Sequence, residues 1–157
     1  MTDARFIHSA WQRVSPFPGG KWLFSLAAGL KGPYVGTIHP QFTELRPGYC
    51  EVRIKRRRGL LNGFGTIHLA AQCNLAELVA ATMLEATLPP THRYMPKSMT
   101  MQFLKKATTD LRAVSQLEPI PSFGEALDLA LPVDVQDAED HVVSRHVVTM
   151  RVSPSKR

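Results

Sequence analysis

Residues 61–87 read LNGFGTIHLAAQCNLAELVAATMLEAT, and their pattern decides the fold. Asn62-Gly63 and Gly65 are turn signals; residues 68–86 then run without a glycine or proline. Alanine, leucine and glutamate dominate the run, all good helix formers. The spacing predicts a helix over 68–86, about 28 Å long at 1.5 Å per residue. Apolar residues fall on almost every side of it, which predicts burial on most sides. Its few polar residues, His68, Gln72, Asn74, Glu77 and Glu85, are therefore the informative ones.

Working outward, two short helices are expected at 4–14 and 21–30, broken by Ser15-Pro16-Phe17-Pro18-Gly19-Gly20. Their apolar anchors, Trp11 and Phe24 among them, suggest a flap packed against an edge of the domain. Residues 34–45 and 50–57 read as strands joined by an Arg46-Pro47-Gly48 turn. In the second, Val52 and Ile54 alternate with Arg53 and Lys55, so one face is packed and the other wet. Leu88-Pro89-Pro90 ends the long helix, and a loop is expected as far as Pro96. Four more strands follow at 98–106, 111–117, 126–135 and 141–152, the last irregular enough to suggest packing on both faces. Residues 153–157 read as a frayed tail. Strands interrupted by one helix predict an α+β domain whose antiparallel sheet wraps round that helix.

A chain of 157 residues, 44% hydrophobic and 20% charged, is expected to form one globular domain over 1–157. Residues 1–30 would be its helical extension and 33–152 its core. The net charge of +6 favours anionic partners. Cys50 and Cys73 are too few and too far apart for a metal or disulfide pattern. They read as buried thiols in a reducing compartment. Residues 1–8 mix acid and base with no apolar core after them, unlike a secretory signal. No apolar run approaches the roughly 18 residues of a membrane span. These features predict a cytoplasmic protein with no membrane partner and no metal.

Asn62, His68 six residues on, and Glu77 nine further, set in this order of elements, resemble the hotdog-fold thioesterase superfamily. The resemblance is to its phenylacetyl-CoA thioesterase-like branch, and within that to an uncharacterised subgroup. That subgroup shares Ile67-His68-Leu69-Ala70, Cys73-Asn74-Leu75-Ala76-Glu77, and a strand like Pro96-Lys97-Ser98-Met99-Thr100 ending in Leu104-Lys105-Lys106-Ala107. The similarity covers residues 33–152. It implies thioester hydrolysis at sites straddling a homodimer, with coenzyme A as part of the substrate and no other cofactor. Two positions depart from the better-known active members. His68-Leu69-Ala70 stands where they carry His-Gly-Gly, and Glu77 where they carry aspartate.

Helix geometry leads independently toward two subunits. Residues nine apart lie roughly 180° round a helix and about 13.5 Å along it. His68 and Glu77 of one chain therefore do not meet at one small substrate, and a catalytic site using both needs a second copy. The expected roles follow from the chemistry. The N–H groups of His68, Leu69 and Ala70 at the helix start would bind the oxyanion. His68 would orient the turn or polarise the carbonyl, and Asn62 would hold water or the carbonyl. Glu77 would act as base or nucleophile with its pKa raised by apolar surroundings, supported by Thr100. Gln72 and Asn74 are expected to be structural hydrogen-bonders, and Glu85 a solvated or dimer-edge group.

The run Arg53 to Arg58 (RIKRRR) is the strongest cluster of charge. No aromatic stacking platform lies beside it, which argues against nucleic acid. It is expected to be a solvated hairpin tip, with Arg56, Arg57 and Arg58 able to hold the phosphates of coenzyme A. Two functions fit the chain: acyl-CoA hydrolysis, and acyl-CoA binding or sensing without turnover, which Leu69-Ala70 in place of glycines would favour. Either suits a homodimer or a dimer of dimers. The acyl group itself depends on how Met83, Leu84, Phe103 and the N-terminal flap pack.

Overall fold

The computed structural model describes residues 4–155, with side chains from Phe6 onward. Its long helix, Leu69–Thr87, spans 19 residues. It begins one residue later than the spacing predicts because His68 is extended (φ −60°, ψ 142°) and serves as the N-cap. Leu75, Ala76, Val79, Ala80, Met83 and Leu84 are fully buried along it, as an all-round apolar helix requires.

Six strands wrap this helix: Gln41–Arg46 (β1), Tyr49–Ile54 (β2), His92–Phe103 (β3), Leu111–Gln116 (β4), Leu127–Gln136 (β5) and Val142–Pro154 (β6). They form one antiparallel sheet in the order β1-β2-β4-β5-β6-β3. This is the α+β hotdog arrangement. The sheet's inner face is read most easily on β6, where Ser144, His146, Val148, Met150 and Val152 are buried. Arg145, Val147 and Arg151 on the other face are exposed. The strand is therefore packed on one side only, contrary to its irregular sequence pattern.

Several boundaries differ from expectation, each for a local reason. Pro33 opens a one-turn helix, Pro33–Gly36, at the position where a missing N–H costs nothing. A Cβ on Gly36 would sit 2.7 Å from Gly29 O, so this turn packs backbone to backbone. The first strand consequently starts at Gln41 rather than 34. Residues 55–57 leave the sheet, and Arg58–Leu60 form a 3-10 turn, so the basic run is not a hairpin tip. The segment after Pro90 is not a loop to Pro96: β3 starts at His92, and its register shifts between Pro96 and Ser98. A proline at a bulge in an edge strand removes no needed hydrogen bond. At the C-terminus β6 continues through Pro154, and the Ser155 N–H donates to Thr91 O at 2.7 Å. Residues 153 and 154 are thus strand, while the last two lie outside the described residues.

The N-terminal helices are Ala4–Val14 (α1) and Gly20–Lys31 (α2). Calling the one-turn helix α3 and the long one α4, α1 and α2 cover the β1 end of the sheet. The rings of Trp11, Phe24 and Phe42 meet edge to face with centroids 5.1 Å apart in each pair. The Phe42 N–H donates to Ser25 Oγ at 2.9 Å, and Lys21 Nζ donates to Thr43 O at 2.7 Å. A helix thus supplies partners that a neighbouring strand would otherwise give. At the opposite end β3 has β6 as its single partner. Among the described residues no helix is long and apolar enough to cross a membrane.

Candidate active site

The start of α4 is held by three separate bonds. The Ile67 N–H donates to Ala107 O at 2.8 Å, and the His68 N–H to Leu60 O at 2.7 Å. The His68 ring then caps the helix, its Nδ1 accepting the Ala70 N–H at 3.0 Å. Of the three amides expected to be free, two are therefore occupied. The Leu69 N–H has no acceptor among the described residues and stands at the positive end of the helix dipole. The cap also settles the tautomer. With Nδ1 accepting, a neutral His68 carries its proton on Nε2, which is left to donate outward.

A cleft of about 240 Å³ opens at the start of α4, lined by Tyr34, Thr37, Leu60, Leu61, His68 and Asn74 among others. Ala70 also lines it, whereas the half-exposed Leu69 does not. Of the two residues that stand where relatives carry glycine, Ala70 borders the cleft and Leu69 does not. Asn74 Nδ2 donates to Tyr34 O at 3.0 Å and ties α3 to α4 across the cleft, the structural part expected of it. Tyr34 and Thr37 are not legible as cleft residues while 34–45 reads as strand. The pair Gly32-Pro33 was the available signal.

Asn62 is committed to its own turn. Its Oδ1 accepts the N–H groups of Phe64 and Thr66 at 3.0 and 3.2 Å, and its Nδ2 donates to Thr66 Oγ1 at 2.9 Å. One N–H remains for anything else. Thr100 lies in register with Val147, on the exposed face of the sheet away from α4. Within one chain it does not join the helix-start group. Met99, Met101 and Phe103 take the helix-facing positions instead, opposite Val148, His146 and Ser144.

Glu77 sits two and a half turns along α4 from His68, half-buried. It has no hydrogen bond or ion pair among the described residues, and desolvation raises its pKa. Glu85, two turns further on the same helix, is also half-buried and raised by desolvation, though Lys31 and the Tyr94 hydroxyl partly offset the rise. Burial and the charges of Glu85 and Glu77 in turn push the Tyr94 hydroxyl up. Glu85 is thus an embedded group rather than a solvated one.

Glu51 shows what a structural carboxylate looks like in the same chain. It is buried, and burial alone would raise its pKa. The Thr43 hydroxyl at 2.7 Å and Arg112 Nη1 at 3.2 Å, with Arg53 close by, bring it net below the ordinary value.

A buried chain of side chains underlies the helix start: Gln72 takes the structural part expected of it, while Ser144 and His146 had no sequence signature beyond polar residues in a strand. Gln72 Nε2 donates to Ile67 O at 3.1 Å, and its Oε1 accepts the Ser144 hydroxyl at 2.8 Å. That hydroxyl in turn accepts from His146 Nε2 at 2.9 Å. His146 Nδ1 is left buried without a partner, and burial lowers the ring's pKa. Of the two thiols, Cys50 is fully buried as expected. Cys73 is half-exposed, with its sulfur 3.3 Å from that of Met101.

The basic run reaches the rim of the cleft. Arg57 donates from Nη2 to Thr37 O, a cleft-lining residue, and Arg56 Nη2 donates to Gly65 O at 2.9 Å. Arg58 opens the 3-10 turn whose Gly59 and Leu60 form one wall. Asp137, Glu139 and His141 form a separate cluster with metal-ligand spacing. Lys105 Nζ already occupies it, 3.0 Å from Asp137 Oδ2 and 3.2 Å from His141 Nδ1. An ammonium there supplies the positive charge a cation would bring.

Solved structures share this architecture. A structural-genomics protein, APC5556, is 41% identical over 96% of this chain and 99% of its own, with a TM-score of 0.85. PA5026 of Pseudomonas aeruginosa, described as a probable thioesterase, is 21% identical over 88% and 97%, with a TM-score of 0.77. PaaI of E. coli, from the phenylacetic acid degradation operon, is 13% identical over 85% and 99%, with a TM-score of 0.65. At such identities the last two speak for the fold. No curated protein sequence matches the chain. The family described as a domain of unknown function (DUF4442) matches residues 20–152, and the chain is a hotdog-fold member of that family.

Proposed function

We propose that this protein hydrolyses acyl-CoA thioesters at two equivalent sites, each shared between the subunits of a homodimer. The observation that carries the proposal is Glu77: a half-buried carboxylate, raised by desolvation and without a compensating partner among the described residues. Such a group is costly to keep for stability alone. The free Leu69 amide is the complementary part, about 12 Å away by helix rise. A second copy closes the gap. The strand available to bring it is β3, a twelve-residue edge that exposes Met95 and Phe103. An exposed apolar edge of that length favours pairing with another strand.

In this mechanism the thioester carbonyl oxygen accepts the Leu69 N–H, with His68 Nε2–H as a second donor. The partner's Glu77 removes a proton from water as the water oxygen attacks the carbonyl carbon. The tetrahedral intermediate then expels the coenzyme A sulfur, which takes up a proton, and the carboxylic acid is released. A base whose pKa is raised toward working pH is the more effective proton acceptor. Arg58, with Arg56 and Arg57 fixing the loop, faces the anionic end of the substrate. The free thiols suit the cytoplasm as the site of action.

Leu69→Pro tests the oxyanion assignment directly. Leu69 is the first helical residue, where proline fits, and His68 already has the extended backbone that precedes proline. The change deletes one N–H and little else. Thiol release from a panel of acyl-CoA esters is expected to fall about 10²–10³-fold with helix content unchanged. Turnover equal to wild type would remove the amide from the mechanism. Binding of acyl-CoA by wild type without thiol release would favour the sensing alternative.

A further inference from the structure

The outer face of α2 is apolar. Trp22, Leu26 and Leu30 follow one another at four-residue spacing and are 66%, 44% and 73% exposed, so they form one stripe. Leu23 beside them, Phe17 in the preceding turn and Tyr34 in α3 are also more than half exposed. Between the stripe and the segment leading into β1 lies a groove of about 700 Å³, lined by Lys21, Trp22, Leu26, Leu30, His39 and Pro40 among others. The opposite face of the same helix is fully employed, with Phe24 and Ser25 packed on β1. Neither the fold nor the proposed hydrolysis uses the outer one.

Charge selects the occupant. None of the thirteen acidic residues of the chain falls between Ala4 and Thr43, while Arg5, Arg13, Lys21 and Lys31 do. Arg13 and Lys21 are exposed. A second copy docking through the same face would set the exposed Arg13 and Lys21 of one copy against those of the other, and residues 4–43 offer no acid to either. A helix with tryptophan and leucines on its outer side and the exposed Lys21 in the groove beside them, in a protein of net charge +6, matches the chemistry of an anionic lipid surface. We propose that α2 and the groove beside it form a docking face for anionic phospholipid bilayers, with Trp22, Leu26 and Leu30 entering the interface. No membrane-spanning segment is needed for such contact. This inference is independent of the thioester chemistry.

Trp22 reports on it. The other tryptophan, Trp11, is buried against Phe24 and Lys21, so a change in emission on binding comes from Trp22. Full-length protein is to be mixed with vesicles of phosphatidylglycerol, and separately of phosphatidylcholine, at low and high salt. Expected are a blue shift and co-flotation with the anionic vesicles, reduced by salt and weak on the neutral ones. Leu26→Glu and Leu30→Glu should each weaken partitioning roughly tenfold or more, as loss of one buried leucine plus charge repulsion implies. Circular dichroism should stay that of wild type. No shift with either vesicle, or equal binding to both, overturns the proposal. So does a soluble oligomer that Leu30→Glu dissociates, which would assign the face to another copy of the chain.

Discussion

The two ends of the sheet are built differently. At the β1 end the edge is covered: Ser25 accepts the Phe42 N–H, Lys21 meets Thr43 O, and the Trp11–Phe24–Phe42 stack fills the space beneath. The buried carboxylate near it, Glu51, is held by Thr43, Arg53 and Arg112. At the β3 end the edge is bare, with Met95 and Phe103 exposed. Beside it, among the described residues, Glu77 has no partner and His146 Nδ1 is buried without one. One end is complete within the chain. In the proposed dimer, the other acquires its partners from a second copy.

The sharpest way to break this contrast is to charge the bare edge. In the proposed dimer, Met95→Lys with Phe103→Lys places like charges across β3, so sedimentation should report a folded monomer. Hydrolysis should fall at least as far as when Glu77 itself is removed, about 10²–10⁴-fold. A double variant that remains dimeric would show that β3 is not the contact. Glu77→Gln comes next, with the same range of loss in kcat. The wild-type rate should rise with pH along a limb lying above the ordinary glutamate value of about 4.3, and the variant should lack that limb.

Stability separates the two carboxylates by sign. Glu77 has a raised pKa, so its ionised form opposes folding, and stability is lost as pH rises from the ordinary carboxylate range through the raised value. Glu77→Gln should remove that loss. Glu51 has a lowered pKa, so its contribution is present above the ordinary value and disappears as pH falls through the folded one. Glu51→Gln should destabilise by about 2 kcal/mol near neutrality and leave turnover intact, as urea titrations at several pH values would establish. A matching sign for both variants would erase the distinction between the ends. The smallest effect is expected for Ser25→Ala, about 1 kcal/mol from the lost bond to the Phe42 N–H, with no change in oligomeric state.

Much of the fold is legible because its signals are local. The uninterrupted run to Thr87 specifies the long helix, Pro89-Pro90 stop it, and the alternation of Met99, Met101 and Phe103 marks a strand. The errors fall where a proline has two meanings. Pro33 begins a helix rather than sitting in a strand, and Pro96 is tolerated inside β3 because a bulge at an edge accommodates it. Of the candidate site, His68, Leu69 and Glu77 are recognisable as polar or amide-bearing positions of an apolar helix. That His68 consumes the Ala70 amide, that Asn62 is taken up by its own turn, and that Thr100 faces away from the helix depend on bonds and register.

The sequence by itself determined that a long apolar helix must be enclosed by strands, and that its carboxylate and its N-terminus lie too far apart to act together. Both follow from the period and rise of a helix, which each residue carries locally. Only the tertiary structure decided which amide is left free, which edge is covered and which carboxylate is unpaired. Those outcomes depend on residues distant in the chain, such as Ser25 with Phe42 and Arg112 with Glu51, whose meeting no local pattern encodes.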